Sequence, residues 1–113
     1  MIVGIGTDIV NKNRIDKIYS KYGKRFIKKI LSTEEQMEFN TKKTKEKKVS
    51  YLSNNFAGKE SIAKALGIGF SLGLTPALIQ ILRDKNGSPI ASLLGSYAKK
   101  NHLISISLTD SRD

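Results

Sequence analysis

An α+β domain, with helices packed on one face of a mainly antiparallel sheet, is the fold class that three observations in the sequence predict. Strand-type and helix-type segments follow one another in the order β-α-α-β-β-α-β. The chain has 113 residues, enough for one domain over 1–113 and too few for two of ordinary size. Between its two central strand-type runs stands Asn86-Gly87, a dipeptide that favours a tight hairpin.

Each element has its own local signal. Met1 to Val10 alternates Ile and Val with Gly and Thr and reads as a strand ending near Asp8. From about Asn11 to Ile30, the residues Ile15, Ile18, Tyr22, Phe26 and Ile30 recur at helical spacing, and Gly23 divides the stretch in two. Ser32-Thr33-Glu34-Glu35 has the form of a capping box, so a further helix starts there and runs to about Phe39. The charge run TKKTKEKK, residues 41–48, reads as a solvated, mobile connection. A long helix follows from about Lys48 to Leu66, with Gly67 placed as its stop. Beyond the glycine-rich stretch GIGFSLGLTP, Ala77 to Arg83 forms a strand, and Ile90 begins its return. Ser92 to Lys100 is a short helix, and Leu103 to Thr109 alternates apolar and hydroxyl residues as a half-buried strand. That last strand has neither cap nor closing turn, so a missing or disordered tail is expected.

Composition narrows the chemistry. Cysteine is absent, which excludes disulfides, zinc-thiolate sites and thiol catalysis. No apolar run approaches the roughly 18 to 20 residues that span a bilayer, and MIVGIGTDIV lacks the form of a signal peptide. The expectation is a soluble, cytoplasmic protein. A formal charge of +10, from sixteen Lys and four Arg against ten acidic residues, favours an acidic partner, and charge alone does not choose among nucleic acid, an anionic membrane, a phosphorylated small molecule and an acidic protein.

The residues that carry chemistry sit in GKESIAKALG, residues 58–67. On the long helix, Val49, Leu52, Phe56, Ala63 and Leu66 form one stripe, and the gap in it is filled by Glu60. A carboxylate turned toward a core costs several kcal/mol unless it is paired, bound to metal or reached by water. A Glu60–Lys64 pair at four-residue spacing adds only about 0.2 to 0.5 kcal/mol. Asp8, at a strand end, and Glu60, on a helix face, together make a hard-oxygen pair suited to Mg²⁺, whose open positions take substrate phosphates. Lys64 is one turn from Glu60 and placed to meet a phosphate, and Gly67 and Gly69 let backbone approach it. His102, the single histidine, has no partner visible in sequence and reads as a surface residue.

Three motifs in order then resemble those of the small bacterial holo-acyl-carrier-protein synthases, the short class of 4′-phosphopantetheinyl transferases. IVGIGTDIV with the following Arg14-Ile15 is similar to the family's opening G-x-D-[IL] strand, and FAGKESIAKALG to its central F-x-x-K-E-x-x-x-K-A-x-G helix. ISISLTD is similar to its closing S-x-[ST] strand. The resemblance implies that Asp8 and Glu60 bind Mg²⁺ against the pyrophosphate of coenzyme A. It places Lys64, Gly67, Ser107 and Thr109 on coenzyme A. It implies transfer of the phosphopantetheine arm to a serine of apo acyl carrier protein, with release of adenosine 3′,5′-bisphosphate, by a homotrimer with active sites between subunits and with neither nucleic acid nor membrane as partner. Glu60 is the candidate to accept the serine proton. Arg14, Lys17 and Lys21 on the first helix are the expected contacts to the acidic carrier protein. Two departures stand out: Asp110 occupies a position where many members carry His, so no role of that His is carried over, and Asn55 one where many carry Arg, so at Asn55 a phosphate or partner contact is expected to be missing. The competing reading is a small basic nucleic-acid-binding module, supported by the lysine run and by Tyr51 beside it.

Overall fold

A computed structural model describes residues 8–70 and 73–102, with side chains from residue 12 onward. Four helices come first: α1 (Asp8–Tyr22), α2 (Lys24–Ile30), α3 (Thr33–Asn40) and α4 (Lys45–Ala65). A hairpin of β1 (Ile79–Arg83) and β2 (Pro89–Leu93) follows, flanked by 3-10 turns at Pro76–Leu78 and Gly95–Lys100. Among the described residues the sheet has these two antiparallel strands, in register from Ile79 opposite Leu93 to Arg83 opposite Pro89. This is the expected class of helices on an antiparallel sheet. The opening strand up to residue 7 and the closing strand from Leu103 lie outside the described residues.

Local signals explain most boundaries. Gly23 takes φ 55, a conformation that side chains with a Cβ disfavour, and its N–H donates to the Tyr19 carbonyl at 2.8 Å, ending α1 before α2 begins. The Ser32 hydroxyl accepts from the Glu35 N–H at 3.2 Å, while the Glu35 carboxylate accepts from the Ser32 N–H at 2.9 Å, so the capping box is formed. At the far end of α4, Gly67 takes φ 81 and donates to the Lys64 carbonyl at 2.9 Å. The hairpin turn is wider than a two-residue loop. The Asp84 carboxylate accepts from the N–H groups of Asn86 and Ser88, and Gly87 N–H donates to the Asp84 carbonyl.

Four boundaries differ from the sequence reading. Residues 8–10 are helical rather than strand, consistent with an acidic residue favouring a helix start. The charge run is not a connection throughout: Thr44 caps α4 by accepting from the Lys47 N–H, and Lys45 to Lys48, strong helix formers, make its first turn. Ala77 and Leu78 are wound into the turn started by Pro76, whose fixed φ suits it. Ser92 and Leu93 stay in β2, because Leu93 is buried opposite Ile79.

Two apolar clusters build the interior. Ile15, Ile27, Ile30, Leu31, Phe39, Val49, Tyr51 and Leu52 unite the four helices. Ile62, Ala63, Leu74, Ile79, Ile81 and Leu93 join the end of α4 to the hairpin. Tyr22, which shares the helical spacing of Ile15 and Ile18, is 48% exposed; the break at Gly23 shifts the phase, and Tyr19 packs inward instead. α1 and α4 run antiparallel: Lys45 Nζ donates to Ser20 and pairs with Asp16 at 3.3 Å, while Lys12 and Asn13 lie toward Val49 and Ser50. The N-terminal end of α1 therefore points toward the half of α4 that carries Glu60.

Candidate functional site

Between the two apolar clusters, α4 turns charge inward. The residue that does so is Lys59, not Glu60. Lys59 is fully buried, and its ammonium donates to Glu35 Oε1 at 2.6 Å, the Ile30 carbonyl at 2.5 Å and the Pro76 carbonyl at 2.9 Å. All three of its protons are used. Burial pulls its pKa below the ordinary lysine value, while the Glu35 carboxylate opposes that shift. Glu35, also fully buried, accepts at Oε2 from Asn55 Nδ2 at 2.9 Å and from the Ile81 N–H at 3.1 Å. One carboxylate thus ties the start of α3 to α4 and β1.

Asn55 belongs to this network. It is fully buried and its amide donates a second bond to the Ile81 carbonyl at 3.1 Å. The expectation that it marks a lost phosphate contact gives way to a structural reading: Asn55 cross-links α4 to the hairpin. Tyr51 is likewise no surface ring for stacking bases, since it is 7% exposed and its hydroxyl donates to Glu38 Oε1 at 2.8 Å. Burial first, then the Glu38 and Glu35 carboxylates, pushes the Tyr51 phenol far above its ordinary 10.0. In the unfolded chain this phenol ionises near 10.0, whereas in the folded chain it keeps its proton, so stability falls as pH rises beyond that point. Denaturant unfolding at pH 9 and 11 should show wild type losing about 1 kcal/mol more than Tyr51→Phe.

Glu60 sits at the margin of the buried face, half-buried, where water can reach it. The deepest positions of the helix are Leu52, Asn55, Lys59, Ile62 and Ala63. That one-residue rotation from the expected stripe resolves how a carboxylate is tolerated there. Among the described residues Glu60 has neither hydrogen bond nor ion pair, and the expected Glu60–Lys64 bridge is not formed; the two ion pairs are Lys45–Asp16 and Lys59–Glu35. Lys64 is exposed one turn further on.

Phe56, Glu60 and Lys64 follow one another at four-residue steps, a row about 12 Å long on one side of α4. The segment after the helix folds back along this row, because Phe70 stacks on Phe56 with ring centroids 6.2 Å apart at 28°. Gly67 and Gly69, both at positive φ, face open space where a Cβ would stand, which leaves their backbone accessible. Sequence reading missed Phe70; the only signal was an aromatic residue inside a glycine-rich loop. It also missed Glu35, whose capping role concealed its second task.

Other expected site residues are less fully placed. Asp8 is the first residue of α1, but its side chain lies outside the described residues. Ser107, Thr109 and Asp110 lie outside them altogether. Arg14, Lys17 and Lys21 are exposed and share one face of α1 at steps of three and four. His102 is exposed, as its surface reading held.

The donor chemistry at Glu60 fits a hard divalent cation. It is a carboxylate without a protein partner among the described residues, at a water-accessible edge with an open backbone beside it. No group of three metal-binding side chains exists among the described residues. One or two carboxylates completed by water and phosphate oxygens are the usual Mg²⁺ set, so that observation is compatible with the fit.

Comparison with known proteins decides the family. The 4′-phosphopantetheinyl transferase superfamily model matches residues 4–110. The chain belongs to that superfamily.

Within it, this transferase groups with the holo-[acyl-carrier-protein] synthases. It is 44% identical over 114 residues to the protein of that name from Wolbachia sp. subsp. Brugia malayi, covering 100% of this chain and 90% of the relative. Identity to the one from Desulfovibrio desulfuricans is 42% over 96 residues, covering 85% and 73%. The crystal structure of the Neisseria meningitidis synthase superposes with a TM-score of 0.66 at 31% identity, covering 89% of this chain and 73% of that one. The Plasmodium yoelii acyl carrier protein synthase, solved with ADP bound, gives 0.64 at 40% identity, covering 86% and 69%. These relatives make the protein an enzyme, a phosphopantetheinyl transferase, in preference to a nucleic-acid-binding module. No helix among the described residues is long and apolar enough to cross a membrane.

Proposed function

We propose that this transferase moves the 4′-phosphopantetheine arm of coenzyme A onto a serine of apo acyl carrier protein, with Mg²⁺, releasing adenosine 3′,5′-bisphosphate. The observation that carries the reading is the row Phe56–Glu60–Lys64 beside an open glycine backbone, with Glu60 unpartnered among the described residues at a wet edge.

Asp8 and Glu60 would hold the cation, and its role is to neutralise charge on the pyrophosphate oxygens and orient them. Lys64 meets a coenzyme A phosphate as a point charge. Gly67, Ser107 and Thr109 are the further coenzyme A contacts. The carrier serine oxygen attacks the β-phosphorus, and the P–O bond to the leaving bisphosphate breaks. Such a transfer is mostly positioning and charge stabilisation, which these residue types supply. Glu60 is the candidate acceptor for the serine proton, directly or through water. A homotrimer with its sites between subunits supplies the enclosure that a 12.5 kDa subunit lacks.

The carrier protein docks on α1. Arg14, Lys17 and Lys21 present one basic face, and next to it Ile18, Tyr22 and Phe26 line a groove edged by Arg25 and Lys29. Apolar centre and basic margin match an acidic amphipathic helix. Arg14→Glu with Lys21→Glu should raise the KM for apo carrier protein at least tenfold, while the KM for coenzyme A stays within twofold. Equal losses in both would remove α1 from the docking surface.

The deciding experiment is an intact-mass assay of apo acyl carrier protein incubated with this protein, coenzyme A and Mg²⁺, with EDTA as control. Gain of one phosphopantetheine arm, abolished by EDTA, supports the proposal. No gain, with coenzyme A bound, makes the protein a non-catalytic relative.

A further inference from the structure

A cavity among the described residues lies away from this site. It measures about 720 Å³ and opens where α1, α2, α3 and α4 meet. Lys24 and Lys28 line it from α2, Lys45 and Lys48 from the first turn of α4, and no Asp or Glu among the described residues contributes to its wall. Tyr19 and Phe39, packed edge to face at 5.9 Å, form its apolar side. Lys48 and Glu60 are twelve residues apart on α4, so the cavity and the Glu60 row are separated by about 18 Å along the helix.

The charge pattern is unfavourable for an empty pocket. Lys24 and Lys28 stand four residues apart on one helix, an arrangement of like charges that weakens it. Nothing on α2 compensates, since KRFIKKI has no acidic residue. Of the facing lysines, Lys45 is neutralised by Asp16 at 3.3 Å, while Lys48 sits only over the Phe39 ring at 4.6 Å. Three lysines, none with a carboxylate partner among the described residues, therefore line one concave surface, where low-dielectric walls focus their field. The volume is that of a site for a small molecule, and the apolar side suits a ring rather than a bare ion.

We propose that this cleft is a second ligand site, taking a phosphorylated molecule of nucleotide size, with phosphates on Lys24, Lys28 and Lys48 and its ring against Tyr19. It is independent of the transfer reaction and requires no metal.

The test is a titration of ¹⁵N-labelled protein with ADP in EDTA, followed amide by amide, for wild type and for Lys28→Gln with Lys48→Gln. The expected result is a set of saturable shifts at Gly23, Lys24, Lys28 and Lys48, with the double variant binding at least tenfold more weakly and melting at the wild-type temperature. Raising salt should weaken binding in wild type. Shifts confined to Glu60, Lys64 and Gly67, no saturable shifts at all, or cleft shifts that the double variant leaves unchanged would each overturn the proposal. Because the readout is position and not turnover, failure of the transfer assay does not bear on it.

Discussion

Glu60→Gln should abolish most of the transfer activity without unfolding the protein. The carboxylate has no hydrogen bond or ion pair among the described residues and lies at a half-buried edge, so the amide removes no structural contact in that set. Its melting temperature should stay within about 2 °C of wild type, as for other substitutions that touch no structural feature. Transfer should fall by about a hundredfold or more, corresponding to roughly 3 kcal/mol of lost transition-state stabilisation, a size typical of losing a charge that holds a metal at phosphate oxygens. The apparent Mg²⁺ requirement should rise together with this loss. The check is the intact-mass assay across a Mg²⁺ series, beside a thermal melt. Turnover within threefold of wild type at every Mg²⁺ concentration would remove Glu60 from the site.

Lys59→Met has the largest expected effect on stability. The substitution conserves length but leaves Glu35 Oε1 with only the Ser32 N–H, and strips the Ile30 and Pro76 carbonyls of their shared donor. Removing one partner of a buried pair costs about 3 to 5 kcal/mol, against a total of roughly 5 to 15 for a domain. A melting temperature lower by on the order of 15 °C is expected. Adding Glu35→Leu should not restore it. In many proteins an apolar replacement of a whole buried pair is neutral, but here Glu35 also accepts from Ser32, Asn55 and Ile81, and those donors would be orphaned. A double variant as stable as wild type would show the network to be dispensable. Because Lys59 fixes the rotation of α4 that leaves Glu60 at the margin, its loss should reach activity through structure, in contrast to Glu60→Gln.

What the sequence by itself determined was set by interactions within a few residues. The break at Gly23, the cap at Ser32, the stop at Gly67 and the turn at Gly87 all rest on backbone conformation or on hydrogen bonds spanning three or four positions. The motif around Glu60 was legible for the same reason, since Phe56, Glu60 and Lys64 share a face by helical periodicity alone. The inward face of α4 was a different matter. Counting apolar residues placed Glu60 in the core and overlooked Lys59 and Asn55, both fully buried. A lysine counts as polar until its partners are known. Those partners, Ile30, Glu35 and Pro76, lie 29, 24 and 17 residues away along the chain. Only the tertiary structure brings them to one point, and only there do the Glu35 carboxylate and the two carbonyls offset part of the cost of taking the lysine's charge out of water.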